Sequence, residues 1–315
     1  MKIATTPWDW TGLHDVQALC AQAELAESLG LHSFWLPESH FAGQRSIPSP
    51  LTLLAAVAAR TRRIGLGCTS YLLPIRHPLQ AAEEVAVLDQ LSGGRLILGL
   101  GRGLQKEMFS AFDVPSKDKR SLFAANLAQM RRAWRGESVL HGASDATATG
   151  HPERVAMLSP LPVQRPEPEL WVAAFGPLAL QQVAQLGLPY LASPMETITV
   201  LERNYAHHRE QAAQAGQALP QVVPIMRTVY VADSAAQVAA ARQSVQAELR
   251  GRGLDADAVD DSAIIGKPDA VQERLREYVA RLGMTHLIVR AGIAGIDAQQ
   301  QVSSLRAVAR MHCTD

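Results

Sequence analysis

The fold is decided by residues 48 to 103, which read PSPLTLLAAVAARTRRIGLGCTSYLLPIRHPLQAAEEVAVLDQLSGGRLILGLGRG. Two helical patterns, LTLLAAVAART after Pro50 and a segment from Pro78 to about Leu91, alternate there with two short apolar segments, IGLGCTS and RLILGLG. Proline at the start and glycine just past the end are typical boundaries of a helix. Helices and strands that alternate in this way indicate a parallel sheet with helical crossovers.

The same alternation continues outward to both ends of the chain. The further predicted strands cover residues 2 to 6, 33 to 38, 170 to 174, 189 to 193, 222 to 232 and 285 to 291. The further predicted helices cover residues 16 to 28, 122 to 134, 178 to 187, 199 to 215, 235 to 249 and 298 to 311. Eight strand and helix units predict an α/β protein with one domain over residues 1 to 315, a (β/α)8 TIM barrel. A doubly wound sheet produces the same alternation and stays open as the alternative.

Two segments interrupt the alternation and are interpreted as insertions. Residues 137 to 168, before the fifth strand, carry five prolines and little helical pattern, which favours a hairpin or an extended insertion. Residues 251 to 269, between the seventh helix and the helix that precedes the eighth strand, are rich in glycine and aspartate. This second insertion is either a mobile lid at the mouth of the site or a solvated surface loop.

Composition and charge exclude several classes of protein. The chain has 30 lysines and arginines against 30 aspartates and glutamates, so a nucleic-acid binder is not expected. The longest apolar run, LTLLAAVAA, is too short to span a bilayer, and the N-terminal MKIATTPWDW lacks the apolar stretch of a signal peptide. Three cysteines far apart in the sequence favour a reduced, cytoplasmic protein without a metal site.

Active sites of TIM barrels lie at the C-terminal ends of the strands, so the predicted strand ends supply the candidate residues. His40 is the best candidate for proton transfer, because an imidazole titrates near neutral pH. Glu38 either orients His40, binds a polar group of the substrate or is a buried carboxylate satisfied by backbone donors. The other candidates at strand ends are Ser39, Thr69, Ser70, Arg102, Ala174, Phe175, Gly176, Arg227 and Arg290.

Two glycine-containing turns are candidate phosphate sites. The segment GLGRG, residues 99 to 103, is not a dinucleotide turn, because Leu104 stands where the motif GxGxxG needs its third glycine. Its glycines either let the backbone approach a flat ligand, with Arg102 pairing with a phosphate, or serve packing in a crowded barrel. The turn Phe175-Gly176-Pro177 opens a helix, whose free N–H groups are a second candidate for a phosphate.

Three segments carry a resemblance to a known family: LGLHSFWLPESHF at residues 29 to 41, residues 48 to 103 and LWVAAFGP at residues 170 to 177. The chain resembles the bacterial luciferase-like flavin monooxygenases over nearly its whole length. The resemblance implies a barrel that binds FMN at its mouth, or in another branch the deazaflavin F420. It also implies reduced FMN delivered by a separate NAD(P)H:flavin reductase, O2 and a small organic molecule as substrates, and a homodimer.

Several site residues are implied by the resemblance alone. Arg102 matches the residue that binds the flavin phosphate, with Gly103 and Leu104 beside it. Thr69-Ser70 matches a dipeptide that lies against the flavin ring and is often joined by a cis bond. The turn that cradles the phosphate through backbone amides corresponds to Ala174, Phe175, Gly176 and Pro177.

The chain departs from the family pattern where the family has Glu-His-His, because it has Glu38-Ser39-His40. A serine is no base near neutral pH, so proton transfer is assigned to His40, a water or the substrate. Gly101 replaces the reactive cysteine of the light-emitting enzymes, so bioluminescence is not expected. The residues expected to shape the substrate pocket are Trp35, Tyr71, Phe175, Arg227 and Arg290.

The prediction is an FMN-dependent two-component monooxygenase, and three alternatives stay open. One is an F420-dependent oxidoreductase of the same superfamily. Another is a flavin-binding homologue that has lost catalysis, which the serine at position 39 makes plausible. The last is an ordinary barrel hydrolase or isomerase, argued from the alternation alone.

Overall fold

The computed structural model describes residues 1 to 12, 15 to 140 and 156 to 311. Nine strands form one parallel sheet in the order β6-β5-β4-β3-β2-β1-β9-β7-β8. The strands are β1 Lys2–Thr5, β2 Ser33–Leu36, β3 Gly65–Leu72, β4 Leu96–Gly101, β5 Glu169–Ala173, β6 Tyr190–Leu191, β7 Pro224–Val231, β8 Ala263–Gly266 and β9 His286–Arg290. The sheet curls, and a parallel bridge between Ala192 and Ile225 joins the end of β6 to β7. The ring of β1 to β7 and β9 is therefore a TIM barrel.

Helices follow the strands and cover the outside of the barrel. They are α1 Val16–Ser28, α2 Pro50–Arg60, α3 Pro78–Ser92, α4 Lys106–Ala111, α5 Lys119–Trp134, α6 Pro177–Gln185, α7 Ile198–Gln214, α8 Ala235–Gly251, α9 Val259–Ser262, α10 Pro268–Leu282 and α11 Ala298–Ala309. Proline occupies the first turn of α2, α3, α6 and α10, where its missing N–H costs no helical hydrogen bond. Among the described helices, none is long and apolar enough to cross a membrane.

The prediction of a TIM barrel is confirmed, and the doubly wound alternative is wrong, because β1 to β6 are neighbours in sequence order. The prediction of eight strands is wrong by one. The additional strand β8 lies in the glycine- and aspartate-rich segment 251 to 269, where the sequence predicted only a connection. Its four residues are too few to show a period, and it forms by pairing with residues Thr228 to Val231 of β7.

The predicted hairpin in residues 137 to 168 lies largely outside the described residues, which omit 141 to 155. Val139 N donates to Ala156 O at 2.9 Å, so the two sides of this segment are adjacent. The described parts, residues 137 to 140 and 156 to 168, contain no strand.

Alternate residues of the strands pack into two different cores. Phe34 of β2 packs outward against the helices, whereas Trp35 points into the barrel and stacks on Trp171 of β5 with ring centroids 4.9 Å apart. Gly67 of β3 makes room for this indole, because a Cβ there would lie 2.1 Å from the Trp35 ring. The barrel interior is thus filled with side chains, and a ligand can enter only at an end.

Candidate active site

Two adjoining cavities open at the C-terminal ends of the strands. One, the apolar cavity, has a volume of about 840 Å³ and is lined by Trp8, Trp10, Met195, Met226, Ile293 and Ile296 among others. The other, the cationic cavity, has a volume of about 700 Å³ and is lined by His40, Arg102, Lys119, Arg120 and Gly176 among others. The wall that they share is formed by Thr69, Ser70, Leu104, Ala173, Phe175 and Arg252. A flat ligand bound in one cavity would therefore face a second molecule bound in the other.

Glu38, just past β2, connects three parts of the cationic cavity. Its Oε1 accepts hydrogen bonds from His40 Nε2 at 2.6 Å and from Arg76 Nη1 at 2.8 Å. Its Oε2 accepts from the Leu72 backbone N–H at 3.0 Å, and its side chain is wholly buried. Two of the roles considered for this carboxylate thus occur together, because it orients His40 and also satisfies a backbone donor.

Arg76 was not among the residues predicted from the sequence. Its guanidinium lies 3.9 Å from the centre of the Tyr71 ring and donates to Glu38. Burial alone would lower the pKa of Arg76, but the Glu38 carboxylate beside it raises that pKa overall. Arg76 follows β3 by a few residues, so extending the search from the strand ends into the following loops would have found it.

Ser39 fixes the loop that covers this part of the cavity. Ser39 and Ile47 exchange backbone hydrogen bonds of 3.0 and 3.1 Å, and the Ser39 hydroxyl accepts from Ile47 N at 3.0 Å. The residue at the family's first histidine position therefore stabilises a turn. Within this turn Phe41 has a φ of 56° and is 71% exposed, while the His40 ring meets Phe112 edge-on at 5.0 Å.

The shared wall is formed where β3 and β4 crowd each other. The Thr69–Ser70 peptide bond is cis, and the pairing of β3 with β4 shifts register between Thr69 and Tyr71. A Cβ on Gly99 would lie 2.2 Å from the Cys68 carbonyl oxygen, and a Cβ on Gly101 would lie 2.5 Å from Ser70 Cβ. Gly99 and Gly101 therefore serve the packing of β3 against β4, which is one of the two roles considered for the glycines of this segment.

Arg102 lies with two further cations, Lys119 and Arg120, at the other end of the cationic cavity. It is buried, and its Nη2 donates to Ala173 O at 2.8 Å while its Nη1 donates to Gln182 Oε1 at 2.9 Å. Burial, and next the nearby Arg120, lowers the pKa of Arg102 to about 10, so the guanidinium stays charged at neutral pH. Lys119 Nζ donates to Gly103 O at 3.2 Å and brings a second cation to this end.

The first turn of α6 completes an anion-binding corner beside these cations. Gly176 precedes α6 with a φ of 77° and lines the cavity, and the first turn carries no acidic residue. The positive end of the helix dipole and the charges of Arg102, Lys119 and Arg120 therefore act on the same space. These donors have the chemistry that a phosphate monoester requires.

The structure brings most predicted site residues to the two cavities. Those that line a wall are Glu38, Ser39, His40, Thr69, Ser70, Arg102, Gly103, Leu104, Phe175, Gly176, Pro177 and Arg290. Trp35, Tyr71, Ala174 and Arg227 line neither cavity. Trp35 points into the closed barrel. The Arg227 guanidinium donates hydrogen bonds to Ser193 O, Glu196 O and Tyr278 Oη, so its donors are occupied within the protein. These four residues therefore lie outside the two cavities that the other predicted residues form.

The sequence reasoning also missed residues that line the apolar cavity. Trp8, Trp10 and Arg252 lie in loops that follow β1 and α8, and Met195 follows β6. Trp8 and Trp10 come within five residues of the end of the first predicted strand. A search of the loops that directly follow the predicted strands would have found Trp8, Trp10 and Met195, but not Arg252, which follows a helix.

The fold and the site define a class of protein: TIM barrels whose mouth places donors suited to an anionic group next to an apolar cavity. The sequence profile of the family described as luciferase-like monooxygenase matches residues 3–286. The chain belongs to this family.

Among curated proteins, the chain is similar to the oxygenase component of flavin-dependent trigonelline monooxygenase from Acinetobacter baylyi. The two are 28% identical over 230 residues, which are 70% of this chain and 61% of that protein. The chain spans roughly half to three-fifths of the length of such relatives, namely 47%, 61% and 59% of three of them.

Solved structures share the fold over the whole chain. The monooxygenase RslO1 from Streptomyces bottropensis is 27% identical, with a TM-score of 0.81 over 99% of this chain and 98% of that one. The oxygenating constituent of 3,6-diketocamphane monooxygenase from Pseudomonas putida, solved with FMN, is 20% identical with a TM-score of 0.79 over 99% and 97%. The F420-dependent tetrahydromethanopterin reductase from Methanopyrus kandleri is 18% identical with a TM-score of 0.71 over 98% and 97%.

Proposed function

We propose that this protein is an FMN-dependent, two-component monooxygenase that inserts one oxygen atom from O2 into a small organic substrate. The observation that carries the proposal is the pair of cavities with a shared wall. One cavity has cations for a phosphate, and the other has apolar walls for an organic molecule. Bound reduced FMN would supply the electrons and the activation of O2.

Residues of the cationic cavity would hold the flavin. Arg102, Lys119, Arg120 and the first turn of α6 would bind its phosphate, and Thr69 and Ser70 would lie against its ring system. Arg102 is already held in place by Ala173 O and Gln182, so little side-chain entropy is lost when it binds an anion.

His40 is proposed to move a proton near the reacting atoms. Its Nε2 is held on the Glu38 carboxylate, so Nδ1 is the ring nitrogen that remains to accept a proton. The partly buried Arg76 balances the charge of Glu38 and keeps the carboxylate in place for this task. Ser39 has a supporting role in this proposal, through the loop it holds against Ile47.

FMN binding to an Arg102→Gln variant tests the phosphate site. We expect the affinity to fall by about 1.5–3 kcal/mol, or roughly 10- to 150-fold, because a charged hydrogen bond to the phosphate is lost. Titration of oxidised and reduced FMN, followed by flavin fluorescence and by calorimetry, measures the change. Arg306→Gln, on an exposed face of α11, is the matched control and should bind FMN like the parent. Equal affinities for the Arg102 variant and the parent would remove Arg102 from the site.

An F420-dependent oxidoreductase is the second candidate, because the F420-dependent reductase noted above has the same fold. Parallel titrations with FMN and F420 separate the two. Tight binding of F420 without binding of FMN would replace the first proposal by the second.

The proposal of a catalytically active oxygenase is tested by O2 consumption. Reduced FMN from an added NAD(P)H:flavin reductase should support O2 uptake that rises when a substrate is present. Uptake that no compound of a broad panel increases, in a protein that binds FMN, would support the non-catalytic homologue instead.

We also propose a homodimer, with Val87 and Leu91 on α3, which are 43% and 61% exposed, at the contact. Sedimentation velocity measures this directly.

A further inference from the structure

The apolar cavity contains a charged group that the proposed binding of the flavin leaves unused. Arg290 ends β9 and lines this cavity but not the cationic one. Trp8, Met195, Met226 and Ile293 supply apolar walls around it. A guanidinium in such a wall is costly to place unless its charge is paired, because apolar surroundings solvate a charge poorly.

Arg290 is held in a fixed position by two protein partners. Its Nη2 donates to both oxygens of Glu248 at 2.7 and 2.6 Å, and its Nη1 donates to Thr228 Oγ1 at 3.2 Å. Its Nε has no hydrogen-bond partner in the part of the chain that the structure describes, and the side chain is 24% exposed. The Nε–H and the second N–H of Nη1 therefore remain as donors that this fixed guanidinium can offer to a ligand.

The charges around Arg290 leave a positive surplus in the apolar cavity. Glu248 also accepts from Arg252 Nε at 3.1 Å, so one carboxylate serves two arginines. Arg45 adds a third positive charge to the lining, and Asp9, which is exposed, is the one carboxylate among the described residues that line it. An anionic group would find a favourable potential there, whereas a cation would not.

We propose that the apolar cavity binds an amphipathic organic acid, with its carboxylate on Arg290 and its apolar body against Trp8, Met226 and Ile293. This inference deepens the proposed function and rests on it, since the acid would be the molecule that the oxygenase acts on. The carboxylate would accept charge-assisted hydrogen bonds from the Nε–H and the remaining N–H of Nη1. A neutral analogue of the same shape leaves those donors without a partner.

Matched probes test the proposal without turnover. The probes are 3-phenylpropanoate, its methyl ester and 3-phenylpropanol, and their binding is measured by ligand-observed NMR and by calorimetry, with and without FMN. We expect the acid to bind at least about tenfold more tightly than the ester or the alcohol. Added salt should weaken the binding of the acid and leave that of the ester unchanged.

Variants assign the preference to Arg290. Arg290→Gln should reduce the preference for the acid to less than about twofold, while Arg290→Lys, which keeps the charge but loses the fork, should give an intermediate value. Arg306→Gln is the matched control and should keep the full preference. Thermal unfolding of each variant shows whether the fold is retained. If Arg290→Gln does not fold, the preference of Arg290→Lys for the acid decides the test.

Three results would overturn the proposal: equal binding of acid and ester, an unchanged preference in Arg290→Gln, or no binding of the acid at millimolar concentration. FMN affinity, measured separately in the same variants, distinguishes this failure from that of the proposed function. Loss of FMN binding with retained binding of the acid contradicts the oxygenase alone. Normal FMN binding without a preference for the acid contradicts the acid site alone.

Discussion

The residue with the most consequences for the site is Glu38. One buried carboxylate receives an imidazole, a guanidinium and a backbone N–H, and these come from the loop after β2, the loop after β3 and β3 itself. Such an arrangement fixes the relative position of two neighbouring strand ends. Its net charge is balanced, so the cations of the anion-binding corner are not neutralised by it.

Replacement of Glu38 by glutamine should destabilise the protein strongly. The partly buried Arg76 would lie beside an uncharged amide, and the charged hydrogen bonds from Arg76 and Leu72 to a wholly buried carboxylate would be lost, which costs at least about 2 kcal/mol. Urea unfolding followed by circular dichroism measures the change in the free energy of unfolding. The control is Glu273→Gln, whose partner Arg276 lies 3.4 Å away on an exposed helix face, and it should change stability by less than about 0.5 kcal/mol. Equal losses in the free energy of unfolding for the two variants would show that Glu38 stabilises the fold no more than an exposed carboxylate does.

At the scale of the element, the contact of β3 with β4 determines the shape of the shared wall. Gly99 lies opposite Thr69 in the register, and its missing side chain makes room for the Cys68 carbonyl. The neighbouring Cys68 thiol is wholly buried, and this burial raises its pKa well above the usual value. The two strands can thus approach only where the sequence supplies glycine.

Gly99→Ala is expected to disrupt this contact. Its Cβ would meet a backbone carbonyl, which cannot rotate away, so we expect a loss of about 3 kcal/mol or failure to fold. Gly251→Ala at the end of α8 is the matched control, because its Cβ would meet nothing within 4 Å, and its stability should be unchanged or up to about 1 kcal/mol higher. Thermal and urea unfolding compare the two variants. A Gly99 variant as stable as its control would contradict the close approach of β3 and β4.

The sequence predicted elements well and side-chain directions less well. The alternation and the strand-end rule were sufficient to place Arg102 and Gly176 at the mouth. Trp35 was misplaced because the strand-end rule does not say how deep a side chain lies, and this indole points into the closed barrel against Trp171 rather than into a cavity. Tyr71 was misplaced because adjacent residues of a strand point to opposite faces, and its ring packs in the outer core. The strand β8 escaped notice because tertiary pairing with β7, rather than its own four-residue pattern, stabilises it.

For the whole molecule, the two ends of the barrel differ in chemistry. The C-terminal end carries the two cavities with Arg102, Lys119, Arg120 and Arg290 in their linings. The N-terminal end contains two histidines, the partly buried His32 before β2 and the buried His286 at the start of β9. Their rings meet edge to face at 5.2 Å. Burial is the main reason that the pKa of His32 is lowered to about 4, and the charge of the nearby Lys2 adds to this effect. Burial also lowers the pKa of His286 to about 4, and the neighbouring His32 is the next cause.

Acid should therefore destabilise the protein between pH 6.5 and 4. In this range the unfolded chain binds protons that the folded histidines do not, so the free energy of unfolding falls as the pH falls. The slope is at most about 1.4 kcal/mol per pH unit for each histidine, and less where water reaches the rings. Urea midpoints over this range should fall less steeply for the double variant His32→Gln/His286→Gln than for the parent. The exposed His77→Gln is the control, and equal slopes in all three proteins would contradict the assignment.

The shared wall has a further consequence for how such proteins diverge. The cationic cavity is built from the ends of β2 to β5, whereas the apolar cavity takes much of its lining from the loops that follow β1, β6, α8 and β9. Few residues belong to both. Under the proposed function, substitutions in those loops would change which compounds the apolar cavity accepts and would leave the residues proposed to hold the phosphate in place. One scaffold would then carry different selectivities on an unchanged anion-binding corner.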